Sequence, residues 1–226
     1  DKVRNTLIDI LHQAHLMNSS ILENNGFLVE TKLTFPRNWG LVTSSTLINK
    51  IAQWFQIDAF ELLQKSFGGS GFDIACAQNN TPVTYQVVNK QPIVEQVTFN
   101  PSFKEHIYFV YLNKKRDSKD AIANFRKKQK NLSQEIKQVS QMTDELLQIQ
   151  DLKFFIDFFK KYEQNLSEIL ETPTIQNELF PDFIGLIKSL GGWGGDFVMV
   201  ASEENPTEYF KQKGYETIIT YSDMIL

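Results

Sequence analysis

Hydroxyl side chains follow a glycine in the first quarter of the chain, in an arrangement that favours binding of an anion. Residues 35–46 read Phe-Pro-Arg-Asn-Trp-Gly-Leu-Val-Thr-Ser-Ser-Thr. At a helix N-terminus the unpaired backbone N–H groups and the positive end of the helix dipole attract phosphate. Thr43, Ser44 and Ser45 add hydroxyl ligands for a phosphate or for its metal ion. The segment lacks the Gly-Lys-Ser/Thr of a Walker loop, so a different type of phosphate-binding loop is expected.

The flanking residues indicate how this loop is held. Apolar and polar residues alternate over residues 27–35, which predicts a strand. Over residues 47–55 the apolar residues recur at helical spacing, which predicts a helix that begins at the hydroxyl cluster. An ordinary strand-to-helix turn with serine caps is the alternative interpretation.

Two other glycine-rich segments occur further along the chain. Residues 69–75 read Gly-Ser-Gly-Phe-Asp-Ile-Ala, and they place Asp73 where a loop is expected to enter a helix. Residues 191–197 read Gly-Gly-Trp-Gly-Gly-Asp-Phe and are expected to join a helix to a strand. Without further information, Asp73 could simply complement a helix dipole, and the second segment could be a C-capping turn.

Taken in order, the three segments resemble the motifs of the GHMP kinases, the superfamily of galactokinase, homoserine kinase, mevalonate kinase and phosphomevalonate kinase. Residues 36–45 resemble its second motif, residues 70–73 its S-G-x-D segment, and residues 191–197 its glycine-rich third motif. The Gly-Phe-Asp-Ile-Ala sequence is similar to the corresponding segment of the GYDIA branch, a subgroup that is itself similar to the mevalonate-pathway kinases.

The resemblance implies a fold. It is the α+β, two-domain GHMP kinase fold, with a ribosomal protein S5 domain 2-like N-terminal part and a ferredoxin-like α+β C-terminal domain. Residues 1–103 would be the remainder of the N-terminal ATP-binding domain and residues 104–226 the C-terminal domain. Because the chain begins without the family's first motif, we expect it to be part of a longer polypeptide.

The resemblance also implies ATP and Mg²⁺ as cofactors and a set of site residues. Asp73 would face the phosphoryl acceptor, and Ser44 and Glu61 would hold the metal ion. The ATP-binding loop would comprise Gly40, Leu41, Val42, Thr43, Ser44, Ser45 and Thr46. Substrate-binding candidates are Ser70, Gly71, Lys114, Lys115, Arg116, Ser118, Gly192, Trp193 and Gly194. There are alternatives without a binding role. Glu61 could belong to the capping box that starts at Asp58, and the basic cluster could be a solvated surface.

The implied activity is transfer of the γ-phosphoryl group of MgATP to a small anionic metabolite, with mevalonate or phosphomevalonate as the leading acceptors. A diphosphomevalonate decarboxylase-like enzyme is one alternative. A catalytically silent GHMP-fold binding protein is another, because Val42 replaces a glycine of the family motif and a β-branched residue rarely adopts positive φ. A purely structural helical protein is disfavoured by the three glycine-rich segments.

Periodicity predicts the remaining elements. Helices are expected over residues 2–22, 58–67, within 119–170, over 172–190 and from 205 to 214, and strands over 81–88, 93–99, 107–112, 197–201 and 215–221. An aromatic stripe, from Phe154 to Tyr162, is expected to be core. His12 and His15 share a helix face but lack a third metal ligand.

Bulk properties exclude several function classes. The chain has 226 residues, a net charge of −4 and 42% hydrophobic residues, which suits a globular protein and argues against general nucleic-acid binding. The one cysteine, Cys76, is expected to be a small buried apolar residue. With no signal peptide or long apolar span visible, a cytoplasmic protein without membrane contact, either monomer or homodimer, is expected.

Overall fold

A computed structural model describes residues 2–23, 25–41, 43–114, 125, 132–191 and 195–225. The chain divides into two compact units. The first comprises Asp1–Arg37 and Leu41–Thr98, and the second comprises Asn38–Gly40 and Phe99–Leu226. The main division therefore lies between Thr98 and Phe99, a few residues before the boundary expected from the sequence.

The first unit is built from four helices that pack around one apolar core. They are α1 (Lys2–Met17), α2 (Thr43–Phe55), α3 (Ala59–Ser66) and α4 (Phe72–Gln78). Each helix turns its apolar stripe inward, as the 3.6-residue periodicity requires. The buried core consists of Ile10, Ala14, Ile48, Ile51, Ala52, Phe55, Ala59, Leu62, Leu63 and Ile74. The first helix ends earlier than expected, since Asn18 caps a separate 3-10 turn over Ser19–Leu22.

A β-hairpin completes the first unit and confirms the two predicted strands. β1 (Val83–Val88) pairs antiparallel with β2 (Gln91–Gln96). The connection is the two-residue turn Asn89-Lys90, with φ of 51° and 65°. Positive φ at both central residues is typical of a type I′ turn, whose twist matches that of the strands.

The strand predicted over residues 27–35 is wrong. Residues 25–33 have no regular secondary structure and form no ladder with another described segment. Leu28 is 91% exposed and Val29 57% exposed, while Phe27 contacts the Trp54 ring edge-on at 5.4 Å. Alternation is therefore present in the sequence, but a strand also needs a partner for its backbone and a buried face for its side chains.

The second unit contains a four-stranded antiparallel sheet. Its strands are β3 (Ile107–Tyr111), β4 (Leu186–Ser189), β5 (Phe197–Ala201) and β6 (Ile218–Thr220), in the spatial order β4-β5-β3-β6. The helices among the described residues of this unit are α5 (Ser133–Leu146), α6 (Leu152–Leu170), α7 (Ile175–Leu179), α8 (Thr207–Gln212) and α9 (Tyr221–Met224). Along the chain, the described elements run from β3 through α5, α6 and α7 to β4 and β5, and then through α8 to β6. The whole is α+β, as expected.

Helices cover this sheet and bury its apolar residues. Helix α6 packs on β4, and of its aromatic stripe Phe155 and Phe159 are buried whereas Phe154 is 69% exposed. A core cluster consists of Val110, Leu112, Ile175, Phe180, Ile187, Val198, Val200 and Phe210. The stripe predicted as core is therefore core on one face only.

The helix predicted over residues 172–190 is wrong in its second half. Thr174 caps the short helix α7, and the chain then forms strand β4. Gly185 has φ of 140°, which a helix cannot accommodate, and the N–H of Ile187 donates to Gln176 Oε1 at 2.9 Å. Leu186 and Ile187 are both 1% exposed, because the strand is buried on both faces. A short apolar run does not distinguish such a strand from a buried helix.

Candidate functional site

The first half of the predicted phosphate loop is held by the sheet of the second unit. A 3-10 turn over Arg37–Trp39 precedes Gly40. The hydroxyl of Tyr111 on β3 donates to the carbonyl oxygen of Asn38 at 2.8 Å. The Trp39 ring contacts Phe197 of β5 edge-on, with centroids 5.5 Å apart. The loop is thus anchored by its backbone and by one aromatic side chain.

Gly40 and the third glycine-rich segment meet at Asp196. Gly40 has φ of 71°, and a Cβ at this position would overlap the Asp196 carboxylate. Asp196 itself has φ of 55°. Its backbone N–H donates to the Lys114 carbonyl at 2.7 Å, and its backbone carbonyl accepts from the N–H of Leu112 at 2.8 Å. The structure therefore brings together Gly40, Lys114 and Asp196. Asp196 was not predicted from the sequence as a partner of Gly40. The sequence feature that could have indicated it is an acidic residue in an otherwise glycine-rich segment.

The glycine-rich segment itself connects two strands and not a helix to a strand. Gly191, with φ of 65°, follows β4, and Phe197 begins β5. The N–H of Leu190 donates to the Phe197 carbonyl at 3.1 Å, which continues the β4-β5 pairing toward the loop. The predicted helix-to-strand connection is wrong for the same reason that β4 was missed. The segment is the end loop of a β-hairpin.

Helix α2 begins at the hydroxyl cluster, as predicted. Thr43 is its first residue and is half-buried, Ser44 and Thr46 are exposed, and Ser45 is 7% exposed. Ser45 therefore lies on the face that packs against the core of the first unit, together with Ile48. The first turn of α2 offers backbone N–H groups and the hydroxyls of Thr43 and Ser44 to a ligand. Leu41, just before the helix, is half-buried.

Asp73 lies in the first turn of α4, two residues after Gly71. A residue with a side chain would be strained and crowded at the Gly71 position. Gly71 caps the helix with φ of 88°, and a Cβ there would lie 2.8 Å from the Tyr85 hydroxyl and 2.9 Å from Phe60 Cδ1. The Ser70 hydroxyl accepts from the N–H of Phe72 at 3.3 Å, and Tyr85 donates to the Ser70 carbonyl. These contacts fix the turn that carries Asp73.

The Asp73 carboxyl group is half-buried and has no hydrogen bond or ion pair with another residue that the structure describes. Burial raises its pKa above the ordinary value. The neighbouring Cys76 thiol is exposed, so its predicted burial is wrong. Desolvation, and then the charge of Asp73, raise the pKa of Cys76. A partly desolvated carboxylate without a partner is the kind of group that catalytic sites contain.

Glu61 lies on the surface of α3 and is paired. Asp58 caps this helix by accepting from the N–H of Glu61 at 2.7 Å. The Glu61 carboxylate forms an ion pair with Lys65 Nζ at 2.7 Å. Among the described residues, no group of three or more His, Cys, Asp or Glu side chains could hold a metal ion. Lys65 therefore competes with a metal ion for the Glu61 carboxylate.

Several predicted site residues lie outside the described residues. They are Val42, Lys115, Arg116, Ser118, Gly192, Trp193 and Gly194. Of the predicted basic cluster, the structure describes Lys114 alone.

Comparisons with models of protein families, with curated proteins and with solved structures found no match. Within the described part of the chain, the helices are too short or too polar to cross a membrane.

Proposed function

We propose that this chain is an ATP-dependent small-molecule kinase of the GHMP type. In this proposal, it transfers the γ-phosphoryl group of MgATP to a hydroxyl or phosphate oxygen of a small anionic metabolite, with mevalonate and phosphomevalonate as the first acceptors to test. The observation that carries the proposal is the environment of Asp73. The position that the resemblance assigns to the acceptor side holds a half-buried carboxylate without a partner among the described residues.

The chemistry assigned to Asp73 follows from that environment. Because burial raises its pKa, the carboxylate is a stronger base than an exposed aspartate. In the proposed step the acceptor oxygen forms a bond to the γ-phosphorus, while the bond from that phosphorus to the β,γ-bridging oxygen breaks and ADP leaves. The Asp73 carboxylate orients the acceptor hydroxyl and takes up its proton. Positioning of this kind supplies much of the catalysis in phosphoryl transfer.

The first turn of α2 is suited to phosphate. In the proposal its backbone N–H groups and the Thr43 hydroxyl bind the β- and γ-phosphates, and Ser44 is the metal-side ligand. The bound ion would neutralise charge that develops on the phosphate oxygens. Glu61 is the weaker metal candidate because Lys65 already neutralises it.

The topology of the second unit also supports the proposal. Strand β5 is paired between β3 and β4, and β3 between β5 and β6, an order compatible with the ferredoxin-like arrangement that the resemblance implies. A similar fold does not by itself assign an activity. The strand order therefore supports the proposed fold only, and the proposed reaction depends on Asp73.

One observation favours a different function, a catalytically silent binding protein. The Asp196 carboxylate packs against Gly40 and fills space beside the loop that the kinase proposal gives to phosphate. Thermal unfolding with and without MgATP separates the two proposals, because a nucleotide-binding kinase is stabilised by its ligand and a silent member is not.

Turnover with a panel of acceptors tests the activity itself. The protein is incubated with MgATP and mevalonate, phosphomevalonate, diphosphomevalonate, homoserine or simple sugars, and ADP and carbon dioxide are both measured. Acceptor-dependent ADP without carbon dioxide supports the kinase. Release of carbon dioxide from diphosphomevalonate supports the decarboxylase-like alternative. If no acceptor raises ADP formation and MgATP leaves the melting temperature unchanged, the kinase proposal fails.

A further inference from the structure

Residues 25–33 of the first unit form an exposed segment whose backbone is unpaired. None of them exchanges a backbone hydrogen bond with another residue that the structure describes. None has a positive φ, so each has the sign of φ that a strand requires. All are exposed, and Leu28 reaches 91%. A chain segment with free N–H and C=O groups is a template on which another strand can pair.

The middle of this segment has the side-chain pattern of a strand with one mainly apolar face. Val29, Thr31 and Leu33 alternate with Glu30 and Lys32. Successive residues of a strand point to opposite faces, so the first three would share one face and the two charged residues the other. Val29 is 57% exposed and Leu33 42% exposed. A second strand beside this one would remove part of that apolar area from water, which is favourable.

The two charged residues are arranged symmetrically and have no partner within the described chain. No ion pair joins Glu30 or Lys32 to another described residue. They lie one residue before and one residue after Thr31. An antiparallel strand of the same sequence, centred on Thr31, would therefore place Glu30 of each copy opposite Lys32 of the other. Opposite charges at directly opposed positions stabilise strand pairing.

The same register also suits the apolar residues. With Thr31 opposite Thr31, Val29 of each copy lies opposite Leu33 of the other. A register centred on Glu30 would oppose two glutamates, and one centred on Lys32 would oppose two lysines, which is destabilising. The segment is therefore complementary to itself in the register centred on Thr31. A two-fold axis at this residue makes the two halves of the contact identical, as in an isologous dimer.

We propose that a second copy of this chain binds at this segment, and that residues 29–33 of the two copies pair as antiparallel strands about a two-fold axis at Thr31. The strand pattern of the sequence has no ladder partner among the described segments of one chain. In the dimer the second copy supplies that partner. The pairing needs neither nucleotide nor acceptor, so it stands or falls separately from the proposed kinase activity.

Sedimentation equilibrium without ATP tests the proposal. It is carried out at low salt, where charge pairs are least screened, and up to high micromolar concentration, because the paired segment is short. We expect the wild type to be in equilibrium between monomer and dimer. Glu30→Lys and Lys32→Glu should each weaken self-association about tenfold or more, because the two-fold axis turns both opposite-charge pairs into like-charge pairs. Glu95→Lys is the control, since it makes the same charge change at another exposed residue of the first unit and should leave the dimer intact.

A mixture of the two variants tests the register itself. Glu30→Lys in one copy and Lys32→Glu in the other restore both opposite-charge pairs, so the equimolar mixture should associate as tightly as the wild type. The double variant with both substitutions in one chain should do the same. The proposal is overturned if the wild type is monomeric throughout, if either single variant dimerises normally, or if the mixture is no tighter than the single variants.

Cross-linking gives a second measurement that does not depend on charge. In a Cys76→Ser background, which removes the exposed native thiol, Thr31→Cys should form a disulfide-linked dimer under mild oxidation. Directly opposed residues of paired strands have Cβ atoms about 5 Å apart, within reach of a disulfide. Leu33→Cys is the control, because its two copies would lie four residues apart along the strands, roughly 13 Å. Equal cross-linking at both positions, or none at Thr31, would contradict the proposed pairing.

Discussion

Asp73 shows what a residue's position in the sequence can and cannot disclose. Its place at the start of a helix was predictable from the glycines before it and the apolar residues after it. Its partial burial, raised pKa and lack of a described partner depend on how α4 packs in the first unit, and no local pattern encodes that. The same holds for Cys76, whose apolar neighbours suggested burial although the thiol is exposed.

The raised pKa gives a pH dependence with a definite sign. The native state retains the Asp73 proton to higher pH than the unfolded chain does, so this group's contribution to stability is fully present below its ordinary pKa of 3.8. It is lost as pH rises through the folded-state pKa. Asp73→Asn removes the ionisation, so its free energy of unfolding should gain on that of the wild type as pH rises from acid to neutral. Urea denaturation across this range measures the difference; a variant that loses stability relative to the wild type as pH rises would contradict the assignment.

Gly40 leads to a second prediction at this scale. Gly40→Ala should lower the free energy of unfolding by about 1–3 kcal/mol, because it combines a strained positive φ with overlap of the Asp196 carboxylate. Gly214→Ala is the matched control, since Gly214 has φ of 86° and nothing within 4 Å of its would-be Cβ. Chemical denaturation should show the larger loss for Gly40→Ala, and part of it should return in an Asp196→Ala background. Equal losses for the two glycines would show that Asp196 is not in contact.

At the scale of elements, the sequence was informative wherever a local signal agreed with the tertiary environment. The cap at Asp58, the hairpin around Asn89 and strand β3 were all predictable for this reason. Strand β4 was not, because a run as short as Leu186–Ser189 fits a buried helix as well as a buried strand. Residues 27–35 failed in the opposite way, since their alternation indicates a strand but no described segment pairs with it.

A substitution in the hairpin turn should raise the stability of the protein, and this tests the geometry assigned to the turn. Lys90 adopts φ of 65°, a conformation that favours glycine. Lys90→Gly should raise the free energy of unfolding by about 0.5–1 kcal/mol, whereas Lys90→Ala, which keeps a Cβ, should give no gain. Urea unfolding midpoints compare the three proteins. A glycine variant no more stable than the alanine variant would mean that the turn is not of type I′.

At the scale of the whole molecule, the α+β class and most element types could be inferred from periodicity. The order of the strands in the second unit could not, because pairing across long separations leaves no local mark on the sequence. The contact of Gly40 with Asp196, which are far apart along the chain, was hidden for the same reason.

The net charge of −4 belongs to this scale as well. An acidic molecule that binds anionic substrates must supply positive potential locally, which the proposal assigns to the N-terminus of α2. Turnover should therefore depend on the local groups at this helix end and not on the net charge of the protein.

The most direct test of the central claim is acceptor-dependent ADP formation by the wild type, by Asp73→Asn and by Asp58→Asn. Asparagine caps helices as well as aspartate does, so the Asp58 variant removes a carboxylate from the same unit without altering the fold. The account predicts a loss of about 10²-fold or more in kcat for Asp73→Asn and none for Asp58→Asn. Full activity in Asp73→Asn, in a protein that still turns over its acceptor, would contradict it.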